Sequence, residues 1–274
     1  MPKLQGISGK KTSTALRESL LRELGVDDRV AFRAAGGPGA GSFLLPPGPD
    51  TPSMPDAHFV VEVQGRLRLS VCPEGATCKH ICHTTGRPCG ALLDRWGKHA
   101  RSCGVGGSRD ARHDGLRDYI AKNHSNVTGI VANTEQRVPA WDRVTAAGEL
   151  EEARLDVATR DAITGRTVYV DVTVTCEHSK TAAKQQARAR NDGVAAQSAV
   201  QKKRSRYPPA GGELIPMAFE ANGRPSDETI EFVRSYGHGL EKSERSAVVS
   251  RMWQDLNTIL HVGNAEMILS AVGR

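Results

Sequence analysis

Residues 151 to 176, which read EEARLDVATRDAITGRTVYVDVTVTC, decide the fold of this chain. They contain two segments in which apolar and polar residues alternate, a pattern typical of β-strands with one buried face. In the second segment, valines at alternate positions from 168 to 174 share one side, and Asp171 lies on the other. The intervening residues 161 to 165, DAITG, favour a hairpin turn in which Gly165 adopts a positive φ angle. We therefore predict two adjacent antiparallel strands.

Each predicted strand carries one aspartate, Asp156 in the first and Asp171 in the second. A hairpin that brings the two carboxylates together can bind Mg²⁺ or Mn²⁺, because these hard ions take oxygen ligands and keep several waters. A bound ion of this kind polarises a phosphate and generates hydroxide at neutral pH. The same pattern also describes a plain sheet edge with solvent-facing acids, and the hairpin by itself leaves both interpretations open.

Further residues are expected to complete a catalytic site. Glu135, on the strand predicted from 127 to 138, is the natural third acid. A lysine that orients water or stabilises the phosphorane charge commonly stands two residues after the second acid, where this chain has Thr173. The candidate replacements on the following helices are Lys180, Lys184, Lys202 and Lys203. We favour Lys203, because its helix can return over the sheet after a break predicted at residues 191 to 193.

The order of predicted elements supplies a second signal. A helix is predicted from residue 108, helices from 180 to 206, a short strand from 213 to 220, and mostly helix from 227 to 272 with stops at 237–239 and 263–264. Together with the strand predicted at 127–138 and the hairpin, this order is αβββαβ and predicts a mixed α/β fold. Residues 58 to 69 are compatible with either a strand or a helix.

Bulk composition restricts the partners. The chain has 274 residues and a net charge of +6, with a pI near 9.1, which favours polyanions such as DNA or RNA. No apolar run reaches the roughly 18 residues of a membrane span, so no membrane partner is expected. The N-terminus lacks the apolar core of a secretory signal.

Five of the six cysteines lie between residues 72 and 103, interleaved with histidines. Without an export signal, this clustering predicts structural Zn²⁺ rather than disulfides, with four ligands around the ion. Four of the following five residues are the expected ligands: Cys78, Cys82, Cys89, His99 and Cys103. His99 and Cys103 suit one helical turn, whereas the other pair stays open between Cys78 with Cys82 and Cys89 with either of them.

Two basic groups are candidates for contact with nucleic-acid phosphates. Arg112 and His113 begin the helix after the cysteine-rich segment, where they suit either a phosphate contact or packing between that segment and the core. The second group follows the hairpin and consists of Lys184, Lys202, Arg204 and Arg206.

Several motifs together resemble a known family. They are CGALLD at 89–94, GKH at 97–99, Cys103, RH at 112–113, RLD at 154–156, DVTV at 171–174, and Lys203 followed four residues later by Tyr207. Their order and spacing resemble the restriction-like endonuclease region of non-LTR retrotransposon polyproteins, a branch of the PD-(D/E)xK nucleases. The likeness is closest to copies in protist genomes such as those of dinoflagellates and covers roughly residues 43 to 274.

The resemblance implies a CCHC zinc knuckle before a nuclease core that nicks target DNA to prime reverse transcription. It places the metal-binding acids at Asp156 and Asp171 and a displaced lysine at Lys203. The segment Arg154-Leu-Asp156 departs from the family's Pro-Asp motif, and Thr173 replaces the lysine of the original motif. A nuclear location and the reverse transcriptase domain of a parent polyprotein as partner are also implied. The chain is accordingly expected to be a fragment, a domesticated remnant or a decayed copy.

We therefore predict four regions: 1–70, an N-terminal helical segment and Gly/Pro-rich linker; 71–107, a zinc-knuckle module; 108–225, a restriction-like nuclease core; and 226–274, a helical C-terminal region. The predicted function is that of a metal-dependent DNA endonuclease. The alternatives are a catalytically inactive nucleic-acid-binding zinc protein and a nuclease that acts on RNA.

Overall fold

The computed structural model describes residues 2–48, 51–209, 212–238 and 240–274, with side chains from residue 12 onward. The chain has a mixed α/β fold, as predicted. The helices in these residues are α1 (Pro2–Glu23), α2 (Val26–Ala34), α3 (Asp56–Arg66), α4 (Lys98–Ser102), α5 (Ser108–Thr128), α6 (Ala182–Arg190), α7 (Val194–Arg206), α8 (Asp227–Ser235) and α9 (Lys242–Val272). None of them combines the length and apolar character needed to cross a membrane.

The central sheet is mixed. Its strands are β1 (Asn133–Arg137), β4 (Arg154–Arg160), β5 (Thr167–Thr175) and β6 (Glu213–Glu220), in the spatial order β1-β4-β5-β6. The pairs β1/β4 and β4/β5 are antiparallel, whereas β5/β6 is parallel. The short strands β2 (Arg143–Val144) and β3 (Leu150–Glu151) form a separate antiparallel pair.

The predicted hairpin is confirmed as β4 and β5. Its turn is held by Asp161, whose carboxylate accepts hydrogen bonds from the backbone amides of Ile163 and Thr164 at 3.1 and 2.6 Å. Gly165 has a φ of 67°, the left-handed conformation that the turn requires. The sequence of the turn therefore fixes the register that places the two strands side by side.

The valine face of the hairpin is buried beneath two helices. Val170 of β5 has no exposed surface and belongs to a cluster with Leu116 and Ile120 of α5 and Leu256 and Leu260 of α9. Because burial of such side chains supplies most of the favourable free energy of folding, this layer fixes α5 against the sheet.

The parallel pair β5/β6 requires a crossover, which α6 and α7 provide. The two helices are separated at Asn191 to Gly193, where a break was predicted. Ala196, Ala199 and Val200 of α7 pack against Ala218 of β6. The alanines allow the helix to approach the sheet closely. Helix α7 therefore returns over the strands, as predicted when Lys203 was chosen among the lysines.

Two segments differ from the sequence predictions, and a third decides between two alternatives that the sequence left open. The strand predicted at 127–138 starts only at Asn133, because α5 continues to Thr128. The predicted stop at residues 263–264 is wrong, since α9 runs through it and buries Asn264 completely. The open segment 58–69 is largely helical and belongs to α3.

A second apolar cluster lies under the cysteine-rich segment. Leu93 and Ala100 pack there against Ala265, Ile268 and Ala271 of α9. The long helix α9 therefore contacts both the sheet layer and the cysteine-rich segment, and it holds the two parts of the molecule together.

Candidate metal centres

The two aspartates lie where strands β4 and β5 separate. The last backbone pair on that side of the hairpin is Val157 with Val170. Asp156 immediately precedes Val157, and Asp171 immediately follows Val170, so the two carboxyl groups meet at the divergence and interact directly. Asp156 is 7% exposed and Asp171 is 3% exposed. We call Asp156 and Asp171 the acid pair.

One cationic side chain approaches the acid pair from α5. His113 Nε2 lies 3.0 Å from Asp156 Oδ2. The same oxygen accepts a hydrogen bond of 2.5 Å from the backbone amide of Val172. The first aspartate is therefore held by one side chain from α5 and by the backbone of the neighbouring strand.

A second cation approaches from α7. Lys203 Nζ lies 2.8 Å from Asp171 Oδ2 and 3.1 Å from Oδ1. Of the other lysines considered from sequence, Lys180, Lys184 and Lys202 are exposed. Lys203 is thus placed at the acid pair, where the sequence argument put it.

The C-terminal end of α7 is anchored by an aromatic cluster next to the acid pair. The Trp141 ring lies 5.4 Å from that of Tyr207 and 5.2 Å from that of Tyr169. Arg206 donates a hydrogen bond of 2.6 Å to the Trp141 carbonyl and pairs with Glu151. Arg206 was expected to contact phosphate, but these contacts engage it in fixing the helix that carries Lys203.

The environments of the two aspartates push their pKa values apart. Burial raises the pKa of Asp171 to about 7, and the negative charge of Asp156 adds to that rise, although Lys203 opposes it. For Asp156, burial also opposes ionisation, but the hydrogen bond and charge of His113 outweigh it and lower the pKa. The arrangement therefore keeps Asp156 ionised and gives Asp171 a proton that it can exchange near neutral pH.

Both cationic partners are held in their charged forms. The hydrogen bond to Asp156 raises the pKa of His113 to about 9. Burial disfavours the charged form of Lys203, but the attraction of Asp171 outweighs it and raises the lysine pKa. Two positive side chains of the protein thus accompany the acid pair.

The side chains of two further predicted residues do not join the acid pair. Glu135 has a left-handed φ of 53°, which breaks the alternation of β1, and its carboxylate pairs with Arg117 at 2.7 Å instead of joining the acid pair. Arg112 is only 5% exposed, so it cannot contact phosphate and instead has the packing role that was the other alternative.

The exposed basic residues remain available to nucleic acid. Lys184 and Lys202 are exposed, as a phosphate contact requires. Arg204 is exposed and pairs with Glu228 at 3.0 Å.

Four of the five expected zinc ligands come together around one point. The ligand atoms of Cys78, Cys89, His99 and Cys103 all lie within 4.8 Å of one another. The Cys78 and Cys103 sulfurs are 3.9 Å apart, and Cys89 Sγ is 3.4 Å from His99 Nε2. Cys82 lies outside this group and contacts the Thr84 hydroxyl at 3.4 Å. The choice that the sequence left open is therefore Cys78 with Cys89.

The donor set and spacing of this cluster suit a tetrahedral metal ion such as zinc, for which bonds to sulfur are about 2.3 Å and bonds to nitrogen about 2.0 Å. Burial raises the pKa of Cys78 to about 12 and also raises that of Cys103. Two buried thiols thus stay neutral until a cation compensates their charge. We call these four residues the CCHC cluster.

A residue that the sequence analysis did not assign organises the ligand helix. The Asp94 carboxylate accepts hydrogen bonds from the backbone amides of Trp96, Lys98 and His99 at 3.0–3.1 Å. It satisfies the free amides at the start of α4 and orients His99 toward the cluster. An acidic residue just before a short helix is the signal that could have identified it.

No protein-family model matches this chain, and no curated protein matches it in sequence.

Proposed function

We propose that this protein is a metal-dependent endonuclease that nicks DNA at the acid pair, with the CCHC cluster as a structural zinc knuckle. The observation that supports this proposal is the convergence of Asp156, Asp171 and Lys203 from two strands and a helix. Two carboxylates beside a lysine form a donor and charge set that suits phosphodiester hydrolysis. The element order around them fits a restriction-endonuclease-like αβββαβ core.

Asp156 and Asp171 would hold Mg²⁺ or Mn²⁺ in this proposal. One or two carboxylates, with waters as the remaining ligands, are a typical donor set for these ions. When bound, such an ion polarises the scissile phosphate and lowers the pKa of its coordinated water.

The chain's own residues supply the remaining chemistry. Lys203, at 2.8 Å from Asp171, is placed to stabilise negative charge that develops on the phosphate. His113 holds Asp156 in its ionised form through the contact at 3.0 Å. The exposed lysines 184 and 202 are available to contact the nucleic-acid backbone.

The context of the proposal is a retrotransposon-derived protein. It would act in the nucleus on chromosomal DNA, with the reverse transcriptase domain of the parent polyprotein as its functional partner. The motifs that carry the resemblance support this context.

The test is a nicking assay on supercoiled plasmid in parallel with a matched single-stranded RNA. We expect Mg²⁺- or Mn²⁺-dependent nicking of DNA, its loss in chelator, and its loss in Asp156→Asn. Asp110→Asn removes an acid that is 72% exposed on α5 and serves as the matched control. Cleavage that persists in Asp156→Asn would contradict the site, and cleavage of RNA alone would change the substrate.

A second candidate is a catalytically inactive nucleic-acid-binding zinc protein. Thr173 in place of a motif lysine favours it, as does the pairing of both aspartates with protein cations. Such a protein would bind DNA equally well with chelator and with Mg²⁺ and would leave the plasmid intact. Binding and nicking measured on the same preparation distinguish the two functions.

A further inference from the structure

We propose that Arg101 and Arg112 are positioning residues that couple the CCHC cluster to the acid pair. Both arginines are buried, and neither touches a carboxylate of the acid pair or a ligand atom of the cluster. The inference rests on the proposed function, since it concerns the geometry and metal affinity of the same acid pair.

The chain segment that connects the two centres is rich in glycine and has little conformational restraint. Residues 104 to 107, GVGG, join the end of α4 to α5, and Gly106 and Gly107 have φ values of 92° and 78°. Glycines in this conformation resist rotation very little. The following residues 109 to 111 at the start of α5 are exposed. The chain itself therefore does not fix the first turn of α5 relative to α4.

Arg112 adds a direct polar connection between α4 and the first turn of α5. Its Nη1 donates hydrogen bonds of 3.2 Å to the backbone carbonyl of Arg101 on α4 and 2.6 Å to Asn264 Oδ1 on α9. The next residue is His113, whose ring holds Asp156. A displacement of α4 is thus transmitted through one guanidinium to the residue that orients the first aspartate.

Arg101 makes a second connection, toward the other aspartate's strand. Its guanidinium donates to Asn222 Oδ1 at 3.1 Å, and Asn222 Nδ2 donates to Glu177 Oε1 at 3.1 Å. Glu177 follows β5, the strand that carries Asp171. The network therefore reaches the strands of the acid pair from the zinc-binding helix by two routes.

The surroundings leave the two guanidiniums little freedom. Glu62, itself buried, lies 3.5 Å from Arg101 and compensates its charge. A Cβ atom on Gly263 of α9 would lie only 2.5 Å from Arg112 Cγ. Buried charges that have partners and close neighbours favour one arrangement, because a shift that breaks these hydrogen bonds leaves further desolvated polar groups unpaired.

The metal cluster sets where α4 lies. His99 and Cys103 are ligands on either side of Arg101, so an ion held by both would fix the short helix between them. A helix of five residues has little stability of its own, so its position depends on the ion together with the packing of Ala100 and the hydrogen bonds to Asp94. Occupancy of the CCHC cluster thereby determines where the Arg101 carbonyl stands to receive Arg112.

The experiment uses the full chain and the variant Arg112→Met, which keeps the length of the side chain and removes its donors. Arg109→Met is the matched control, because Arg109 lies one turn earlier on α5 and is 54% exposed. Mn²⁺ affinity is measured by electron paramagnetic resonance, and only binding that Asp156→Asn abolishes is counted. Bound zinc is quantified, and the His113 ring resonances are followed by NMR.

In Arg112→Met we expect Mn²⁺ affinity to fall about tenfold to a hundredfold, the loss typical of an outer-shell change at a metal site. Zinc content stays unchanged, and the His113 resonances shift. Arg109→Met matches the wild type. Wild-type protein stripped of zinc should also show a lower Mn²⁺ affinity and shifted His113 resonances, and both should recover when zinc is restored. This comparison tests the coupling even if Arg112→Met does not fold.

Two results separate this inference from the function on which it rests. Unchanged Mn²⁺ affinity and unchanged His113 resonances in folded Arg112→Met, or in zinc-free wild type, would overturn the coupling. Absence of Mn²⁺ binding in zinc-loaded wild type would refute the proposed function. The response of the His113 resonances to zinc removal would then still decide the coupling.

Discussion

The CCHC cluster and the acid pair are built in opposite ways. The cluster takes its four ligands from one short segment, residues 78 to 103. The acid pair and its partners come from α5, β4, β5 and α7, and span residues 113 to 203. The first therefore depends on local chain geometry, whereas the second exists only when the hairpin, the crossover helix and the core have assembled.

The two centres also differ in how their charges are balanced. The buried thiols of the cluster have raised pKa values and no cationic partner among the ligand residues. Each aspartate of the acid pair already has a cation, His113 or Lys203. The cluster is thus expected to need its ion for stability, whereas the acid pair, with a cation beside each carboxylate, is expected to be stable without one. Four experiments test this contrast.

The largest effect is expected from Asp171→Asn. If the proposed function holds, loss of this carboxylate removes a metal ligand and with it several kcal/mol of transition-state stabilisation, so nicking should fall by at least about a thousandfold. Because asparagine has nearly the same size, the variant should keep its fold, with some loss of thermal stability because Lys203 loses its anionic partner. Plasmid nicking measures the rate, and thermal unfolding followed by circular dichroism on the same samples measures the stability. A stable variant that still nicks at a tenth of the wild-type rate would contradict the role of Asp171.

Lys203→Met should have the next largest effect. Removal of a preorganised charge from a developing anion typically costs about a hundredfold to a thousandfold in rate. Lys202→Met alters the neighbouring exposed lysine and is the matched control. Single-turnover rates with enzyme in saturating excess over the DNA separate this effect from substrate binding. Equal losses in the two variants would show that only the general positive charge of α7 matters.

Cys103→Ser should act on stability rather than on chemistry. Loss of one cluster ligand should release the zinc ion and lower the free energy of unfolding by at least about 3 kcal/mol, or about 6–12 °C in Tm for a domain of this size. Cys82→Ser is the control, because Cys82 lies outside the cluster and contacts Thr84. Metal analysis and calorimetry give the answer. Zinc loss in Cys82→Ser instead would reassign the fourth ligand.

The smallest effect is a pH dependence that originates at His113. Its pKa is raised from 6.5 to about 9 in the folded protein, so its contribution to stability is complete below pH 6.5 and is lost as the pH rises to about 9. As the pH rises from 6.5 to 9, the free energy of unfolding should therefore fall less in His113→Gln than in the wild type, and the difference should reach about 1 kcal/mol. Urea unfolding at pH 6 and pH 9 measures the difference. Parallel pH profiles would place the imidazole away from Asp156.

Sequence patterns were most informative where the interaction was local or periodic. The alternation in β4 and β5 and the DAITG turn predicted the hairpin, and the hairpin register then required Asp156 and Asp171 to be neighbours. The break at residues 191 to 193 predicted a returning helix, which brings Lys203 to the sheet. The cysteine spacing predicted the cluster but not the choice of Cys89 over Cys82, which depends on how the loop between them folds.

Long-range packing was not accessible in the same way. Asn264 resembles a helix terminator in sequence, but it lies inside α9 because its amide hydrogen-bonds both Arg112 and the carbonyl of Ala221. Arginine commonly binds phosphate, and only the tertiary structure shows that Arg112 is buried and donates to acceptors inside the protein. Glu135 occupies the expected strand, yet a single left-handed residue changes the direction of its side chain.

The distorted backbone at Glu135 also affects how the protein behaves in concentrated solution. β1 is an outer strand of the sheet, and all five of its residues are exposed. An open outer strand offers unpaired amides and carbonyls to any passing chain and promotes aggregation. The left-handed residue in its middle interrupts that row, and its ion pair with Arg117 keeps a charge there. The irregularity that removes Glu135 from the acid pair thereby protects the sheet against strand-to-strand association.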